Sequence, residues 1–145
     1  MYEIETYRDT EIQVNYIDSW VTMSEMWYEG LESSRNSSIL QGLRSNERRK
    51  GYASKVMDYV CNIADMYNIE LSLSASADDF SSSPPDLLTQ DELVAFYKRK
   101  GFVFNNLDKY GRGRGIRVPN RKPIEHDYVI DNFFKEAETN YLKHN

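Results

Sequence analysis

Apolar and polar residues alternate through the first third of the chain, and this alternation predicts β-strands. Ile12, Val14 and Tyr16 fall on one face of the segment EIQVNYI, and WVTMSEMWYEG continues the alternation. The stretch ESSRNSS has the composition of a turn, and SILQGLR after it predicts a third strand. Gly42 lies inside that third strand, which indicates a bulge or the close approach of another backbone.

The spacing of apolar residues then changes to that of a helix, over about residues 52–67. The residues that form its apolar stripe are Ala53, Val56, Met57, Val60, Ala64 and Tyr67. The segment IELSLSASA returns to strict alternation and predicts a strand with one apolar face and one face of small serines. The first half of the chain therefore predicts three strands, a helix and a fourth strand.

A second helix is predicted by its boundaries as well as by its apolar residues. Thr89 and Glu92 have the spacing of a capping box, and Gly101 occupies the place of a C-terminal cap glycine. The residues expected to face inward are Leu93, Phe96 and Tyr97. A short strand, FVF, follows this helix.

The last part of the chain predicts a basic hairpin and a C-terminal helix. KYGRGRGIRVPNRKP is rich in glycine and cations and leads into a strand, IRV. A helix is expected over about residues 128–143, with an apolar stripe of Ile130, Phe133, Phe134, Ala137 and Tyr141. That helix either packs on its own sheet or forms a homodimer or partner interface. The element order predicts an α/β (α+β) fold with a mixed sheet flanked by helices.

Length and composition indicate one globular domain over residues 1–145. Hydrophobic residues make up 40% of the chain and charged residues 28%. Cys61 is the single cysteine, so no disulfide can form within the chain. The N-terminus is acidic without an apolar segment, and no run of about 18 apolar residues occurs. We therefore expect a cytoplasmic protein without a membrane partner.

The net charge of −5 is unevenly distributed. Residues 1–38 hold eight acids and two bases, whereas residues 39–122 hold ten acids and fourteen bases. An acidic protein with a basic middle favours a local anion site over nucleic-acid binding. A weaker alternative is that the GRGRGIR segment contacts nucleic acid. His126 and His144 lack partners at ligand spacing, so no metal is expected.

The segment ERRKGYAS combines three features that suit an anion. It places Arg48, Arg49 and Lys50 immediately before Gly51, and the first helix begins after this glycine. The first turn of a helix has backbone N–H groups without partners and a partial positive charge. Glycine lets a ligand come close to the backbone. The segment therefore predicts a site for a pyrophosphate, although neither a Walker loop nor a dinucleotide fingerprint is present.

Two motifs in this sequence resemble the GNAT (GCN5-related) N-acetyltransferase family. Arg48-x-x-Gly51-x-Ala53 is similar to the (Q/R)-x-x-G-x-(G/A) motif that follows a strand and opens a helix in that family. DELVAFYKRKGFVF resembles the family's C-terminal signature, a helix that ends in FY-x-x-x-GF. The resemblance covers about residues 37–105. The short layout is also similar to small GNAT proteins of phages and mobile elements.

The resemblance implies a GNAT-like, mostly antiparallel sheet with an extra C-terminal helix. Within it, residues 1–46 form a β-rich part, 47–105 an acetyl-CoA-binding core, and 106–145 the hairpin and last helix. It further implies that SILQGLR and IELSLSASA diverge around acetyl-CoA. The implied contacts are Leu43 and Arg44 for the pantetheine arm, and Arg48, Arg49, Lys50, Gly51, Tyr52, Ala53 and Ser54 for the pyrophosphate.

The resemblance also implies a chemistry, the transfer of an acetyl group to a primary amine. Tyr97 matches the position that commonly protonates the leaving thiolate. The general base stays open among Glu25, Glu29, Glu32, Asp78 and Asp79. Gln90 stands where many members have an asparagine, and the two helices that often help to form the acceptor pocket have no counterpart here. Two functions therefore remain, an acetyltransferase acting on a protein or small cationic amine, and a catalytically inactive GNAT-fold protein that binds a host partner.

Overall fold

In a computed structural model, the protein is described over residues 2–8, 11–17, 19–45, 51–76 and 89–120. Its strands are β1 (Tyr2–Arg8), β2 (Glu11–Tyr16), β3 (Ser19–Trp27), β4 (Ser37–Ser45), β5 (Glu70–Ala75), β6 (Val103–Phe104) and β7 (Gly113–Arg117). Its helices are α1 (Tyr52–Met66) and α2 (Gln90–Arg99). The predicted C-terminal helix, with the homodimer or partner interface suggested for it, lies outside the described residues.

The seven described strands form one sheet in the order β1-β2-β3-β4-β5-β7-β6. Neighbouring strands are antiparallel except β4 and β5, which are parallel because α1 connects them. The predicted fold class, a mixed and mostly antiparallel sheet flanked by helices, is confirmed. The hairpin predicted in the basic segment is also confirmed, since β6 pairs with β7 from Val103 opposite Ile116.

The first strand was not among the predicted elements. β1 pairs antiparallel with β2 and places Ile4 opposite Val14 and Thr6 opposite Ile12. Its sequence, YEIETYR, alternates in the same way as β2. The alternation that predicts a strand is therefore present in this segment, but Glu3, Glu5 and Arg8 make the segment strongly charged and weaken the prediction.

Two bulges shape the pairing of β3 with β4. The bulge expected at Gly42 is confirmed, because Val21 faces two residues, Gly42 and Leu43, and the glycine has φ 67°. A second irregularity lies in β3, where Glu25 adopts φ 48°. It reverses the alternation of β3, which is why Met23 and Met26 are both buried although they are three residues apart.

The core lies between α1 and the sheet. α1 packs against β2, β3 and β4, and α2 packs against β5. The apolar residues that are fully buried include Ile12, Val14, Met23, Val56, Met57, Val60, Ile63, Ile69 and Leu71. The helical stripe predicted from the sequence is thus the face that α1 presents to the sheet.

Candidate functional site

The N-terminus of α1 is open. Its N-cap residue, Gly51, has left-handed dihedral angles of φ 78° and ψ 8°, no side chain of the described residues caps it, and the first turn contains no acid. The N-terminus of α2 is the opposite case, since Thr89 and Glu92 form the predicted capping box there. Side chains thus satisfy the first turn of α2, whereas the first turn of α1 keeps N–H groups and a partial positive charge for another partner.

An opening in the sheet lies along β4, the strand that precedes this helix. β4 and β5 pair at only three positions, from Ser37 opposite Glu70 to Ile39 opposite Ser72. Beyond them, β4 runs on to Ser45 and β5 to Ala75 without pairing to each other. Strands that part in this way expose backbone N–H and C=O groups along their facing edges. An extended molecule with amide groups can pair with such edges.

Several of the residues expected to contact the cofactor lie in the first turn of α1 and on β4, the strand that precedes it, and their role stays a prediction. Tyr52, Ala53 and Ser54 are half-buried in the first turn of α1. Leu43 is half-buried on the part of β4 that does not pair with β5, where it packs against the core. The backbone of Arg44 lies on the same part of β4, opposite Trp20 of β3. Arg48, Arg49 and Lys50 lie outside the described residues, so their role stays a prediction.

A cation that the sequence analysis did not single out reaches the first turn of α1. The ammonium of Lys100 donates hydrogen bonds to Ser54 Oγ at 2.5 Å and to Asp58 Oδ1 at 2.7 Å, and it lies over the ring of Phe96. Its side chain is 14% exposed, whereas that of Asp58 is 62% exposed. Because Lys100 ends α2, it ties the two helices together beside the open N-terminus. The basic run KRK before Gly101 was the available signal.

Tyr97 lies in the core between α2 and the strand that follows it. Its ring makes edge contacts with Phe96 and Phe102, and the residue is 8% exposed. Burial raises the pKa of its hydroxyl to about 12. The hydroxyl therefore keeps its proton at neutral pH, as a proton donor must. The same pKa makes it a weaker acid than a thiol of ordinary pKa, about 8.5.

Gln90 links the end of β5 to the hairpin turn. Its side-chain amide donates to the carbonyl oxygens of Ala75 and Gly111, each at 2.9 Å. Gln90 stands where many GNAT proteins have an asparagine, and its amide here links the backbone of β5 to the backbone of the hairpin turn. It fixes the end of the strand that forms one edge of the opening.

The candidate bases have different surroundings. Glu29 accepts hydrogen bonds from the Trp27 indole at 2.8 Å and from the Ser33 hydroxyl at 3.1 Å, which favours a structural role in the β3–β4 connection. Glu25, on the bulge of β3, and Glu32 are exposed. Asp78 and Asp79 lie outside the described residues. Which of these carboxylates acts as a base stays open.

The described part of the chain has neither an activated thiol nor a metal cluster. Cys61 is a buried free thiol whose pKa burial raises to about 11, so it is a poor nucleophile near neutral pH. The described residues contain no group of three or more His, Cys, Asp or Glu side chains placed to hold a metal. None of the described helices has the length and apolar character that a membrane span requires.

Comparison with known proteins shows the fold. No protein-family model matches the chain, and a search of curated proteins finds no significant match. The crystal structure of the anti-CRISPR protein AcrVA5 is similar to it, with a TM-score of 0.52 and 18% sequence identity. The match covers 72% of this chain and 97% of that chain. The GNAT-like architecture expected from the two motifs is thereby confirmed as a fold.

Proposed function

We propose that this GNAT-like protein is an N-acetyltransferase that moves the acetyl group of acetyl-CoA to a primary amine. The observation that carries the proposal is the parting of β4 and β5, because β4 is the strand that precedes the open N-terminus of α1 in the chain. An unpaired strand edge suits the amides of the pantetheine arm, and a free helix N-terminus suits a pyrophosphate. The two features belong to consecutive elements of the chain, which suits the binding of one elongated coenzyme.

The residues at the helix end fit a pyrophosphate. A Cβ atom added to Gly51 would meet no atom of the described residues within 4 Å, so this part of the chain leaves the space beside the Gly51 backbone open to a ligand. The predicted contacts of Arg48, Arg49 and Lys50 would add positive charge from the preceding loop. Leu43 and Arg44 would offer backbone groups to the pantetheine arm. Acetyl-CoA would supply the activated acetyl thioester.

The reaction sets three demands on the site. The acceptor amine, with an ordinary pKa of about 10.4, must lose a proton to attack the carbonyl carbon, so a carboxylate or an ordered water must accept that proton. A C–N bond then forms and the C–S bond breaks. The negative charge on the carbonyl oxygen needs N–H donors. We assign the backbone of the β4 bulge around Gly42 to this last role.

Tyr97 would serve the leaving thiolate. Because its pKa of about 12 is above that of the thiol, complete proton transfer from the tyrosine is unfavourable. A hydrogen bond from its hydroxyl would stabilise the developing negative charge on sulfur, and the final proton would come from solvent. We therefore expect the Tyr97 hydroxyl to increase the rate of acetyl transfer modestly without being essential for turnover.

A protein amine is the acceptor class to be tested first. The acidic N-terminal third of the chain favours a cationic acceptor by electrostatic attraction. AcrVA5, whose fold is similar, is described as an anti-CRISPR protein. A lysine or N-terminus of a host protein is therefore the acceptor with which a screen should begin, followed by small polyamines.

The proposal is tested by calorimetric titration of acetyl-CoA into the purified protein and two asparagine variants. Gly51→Asn introduces a side chain into the pyrophosphate space, and asparagine tolerates left-handed backbone angles better than most residues. Gly111→Asn is the control for the left-handed backbone, because Gly111 has a similar φ of 76° in the hairpin turn; an added Cβ there lies 3.4 Å from Gln90 and 3.5 Å from Asp91, so thermal unfolding of both variants is measured as well. We expect binding by the unaltered protein and the control, and strongly reduced binding by Gly51→Asn. No binding to the unaltered protein would overturn the proposal.

A second candidate is a GNAT-fold protein that binds a host partner without turnover. The buried position of Tyr97 and its high pKa favour this alternative, because both weaken an acid catalyst. Acetylation assays by mass spectrometry, on protein and polyamine acceptors, distinguish the two functions. Acetyl-CoA binding without product on any acceptor would favour the binding protein.

A further inference from the structure

Two tyrosines and a lysine form a cluster beside the open end of α1. The rings of Tyr16 and Tyr52 have centroids 5.8 Å apart and are tilted by 60°. The ammonium of Lys55 lies 5.6 Å from the centroid of the Tyr16 ring. Tyr52 directly follows Gly51, whereas Tyr16 comes from the end of β2. The cluster therefore adjoins the proposed pyrophosphate site, with one member from a distant part of the chain.

Two lysines lie at the start of α1 and differ in their partners: Lys55 belongs to its first turn, and Lys100 reaches it from the end of α2. Lys100 donates to Ser54 and Asp58. Lys55 is exposed, and among the described residues its ammonium lies over the Tyr16 ring and pairs with no carboxylate. A cation held over an aromatic ring, without a carboxylate among the described residues, can pair with an anionic ligand.

The position of the cluster indicates which part of a coenzyme would reach it. The opening lies between β4 and β5, while Tyr16 belongs to β2, on the other side of β4 in the sheet. Two strand spacings, about 10 Å in all, separate β2 from β4. If the acetyl end enters the opening and the pyrophosphate lies at Gly51, the adenosine end has to leave on another side of the helix start. The Tyr16 side offers it aromatic surface.

We propose that Tyr16, Tyr52 and Lys55 bind the 3′-phosphoadenosine end of the coenzyme, an inference that rests on the proposed function. Adenine presents a flat π face that stacks on tyrosine, and the 3′-phosphate is an anion that pairs with a lysine ammonium. The cluster thereby selects coenzyme A over shorter thioester carriers. Tyr16 and Lys55 are not part of the loop motif, so the sequence alone did not indicate them.

The test compares three ligands that are shortened stepwise from this end. These are acetyl-CoA, acetyl-dephospho-CoA, which lacks the 3′-phosphate, and S-acetyl-4′-phosphopantetheine, which lacks the whole 3′-phospho-AMP unit and so keeps one phosphate of the pyrophosphate. Dissociation constants are measured by calorimetry for the unaltered protein and for Tyr16→Leu, Tyr16→Phe and Lys55→Gln. Thermal unfolding of each variant establishes that it is folded.

Each variant has its own expected pattern. Tyr16→Leu should weaken both adenosine-containing ligands roughly tenfold and leave acetyl-phosphopantetheine unchanged, whereas Tyr16→Phe should retain binding because it keeps the ring. Lys55→Gln should remove the preference for acetyl-CoA over acetyl-dephospho-CoA. Lys109→Gln is the matched control, because Lys109 lies over the exposed ring of Tyr110 at 5.0 Å in the hairpin turn, and it should change none of the affinities.

The outcomes separate this inference from the proposed function. Equal affinity of the unaltered protein for all three ligands would overturn the inference and leave the acetyl-CoA site intact. The inference would also be overturned if Tyr16→Leu or Lys55→Gln lowered the affinity for all three ligands by the same factor. Absence of binding by acetyl-CoA and by acetyl-phosphopantetheine alike would overturn the proposed function, and the inference with it.

Discussion

Arg117 and Asp65 join the end of β7 to α1 through two parallel hydrogen bonds of 2.8 and 3.0 Å. Asp65 is 3% exposed and also accepts from the backbone N–H of Asn120 at 2.8 Å. Arg117 Nε donates to the carbonyl oxygen of Lys100, also at 2.8 Å. One guanidinium thus connects α1, β7 and the end of α2, and this holds the helix that carries Tyr97 in place.

Replacing this arginine should be strongly destabilising. Arg117→Met leaves Asp65 buried without its charged partner, and we expect a loss of about 3–5 kcal/mol in the free energy of unfolding, measured with urea. The double variant Asp65→Asn/Arg117→Met removes the unpaired charge and should recover part of that loss. A loss below about 1 kcal/mol in the single variant would show that the pair behaves like a surface ion pair.

Gly115 is required for steric reasons alone. A Cβ atom there would lie 2.5 Å from Cζ of Phe104, whose ring packs on the glycine from the neighbouring strand. Gly115→Ala should therefore cost about 1–3 kcal/mol, measured by urea unfolding. Phe104→Leu/Gly115→Ala should be less destabilised than the sum of its single variants, because the smaller side chain leaves room. Additive losses would show that the clash is relieved elsewhere.

Tyr97→Phe separates the catalytic role of the hydroxyl from the packing role of the ring. The substitution keeps the ring contacts with Phe96 and Phe102, so the thermal midpoint should change little. If the hydroxyl stabilises the thiolate, kcat should fall by about tenfold, the effect of one hydrogen bond to a charged group, while the dissociation constant for acetyl-CoA stays the same. An unchanged kcat would assign Tyr97 to the core alone.

Stability should decrease at alkaline pH. Burial raises the pKa of Cys61 from 9.0 to about 11 and that of Tyr97 from 10.0 to about 12. The folded protein therefore holds these protons at pH values where the unfolded chain releases them. Their contribution to stability is complete below about pH 9 and is lost as the pH rises toward 12. Each group should lower the free energy of unfolding by up to about 1.4 kcal/mol per pH unit within its range.

Urea unfolding between pH 8 and 11 tests this expectation, with Cys61→Ala as the comparison. The variant loses some packing at every pH, so the informative quantity is the slope with pH and not the stability itself. Between pH 9 and 11 the slope should be shallower in Cys61→Ala. Equal slopes in Cys61→Ala and the unaltered protein would show that the Cys61 thiol has the same pKa in the folded and the unfolded chain.

The local pattern of the chain determined most of the elements and which residues the proposed coenzyme site contains. Hydrophobic periodicity located α1, and Thr89 and Glu92 marked the start of α2 through a capping box that depends on four consecutive residues. Gly51 was identified as the open start of a helix because only the residues beside it decide that conformation. The bulge at Gly42 was predicted from an equally local feature, a glycine inside a strand.

Tertiary structure alone decided the contacts between residues far apart in sequence. Lys100 reaches Ser54, Arg117 pairs with Asp65, and Tyr16 meets Tyr52 only once the sheet has brought their elements together. The same holds for the opening between β4 and β5. Its width follows from where pairing stops, and the pairing of parallel strands is set by the helix that connects them and by the packing around it, which no short stretch of sequence encodes.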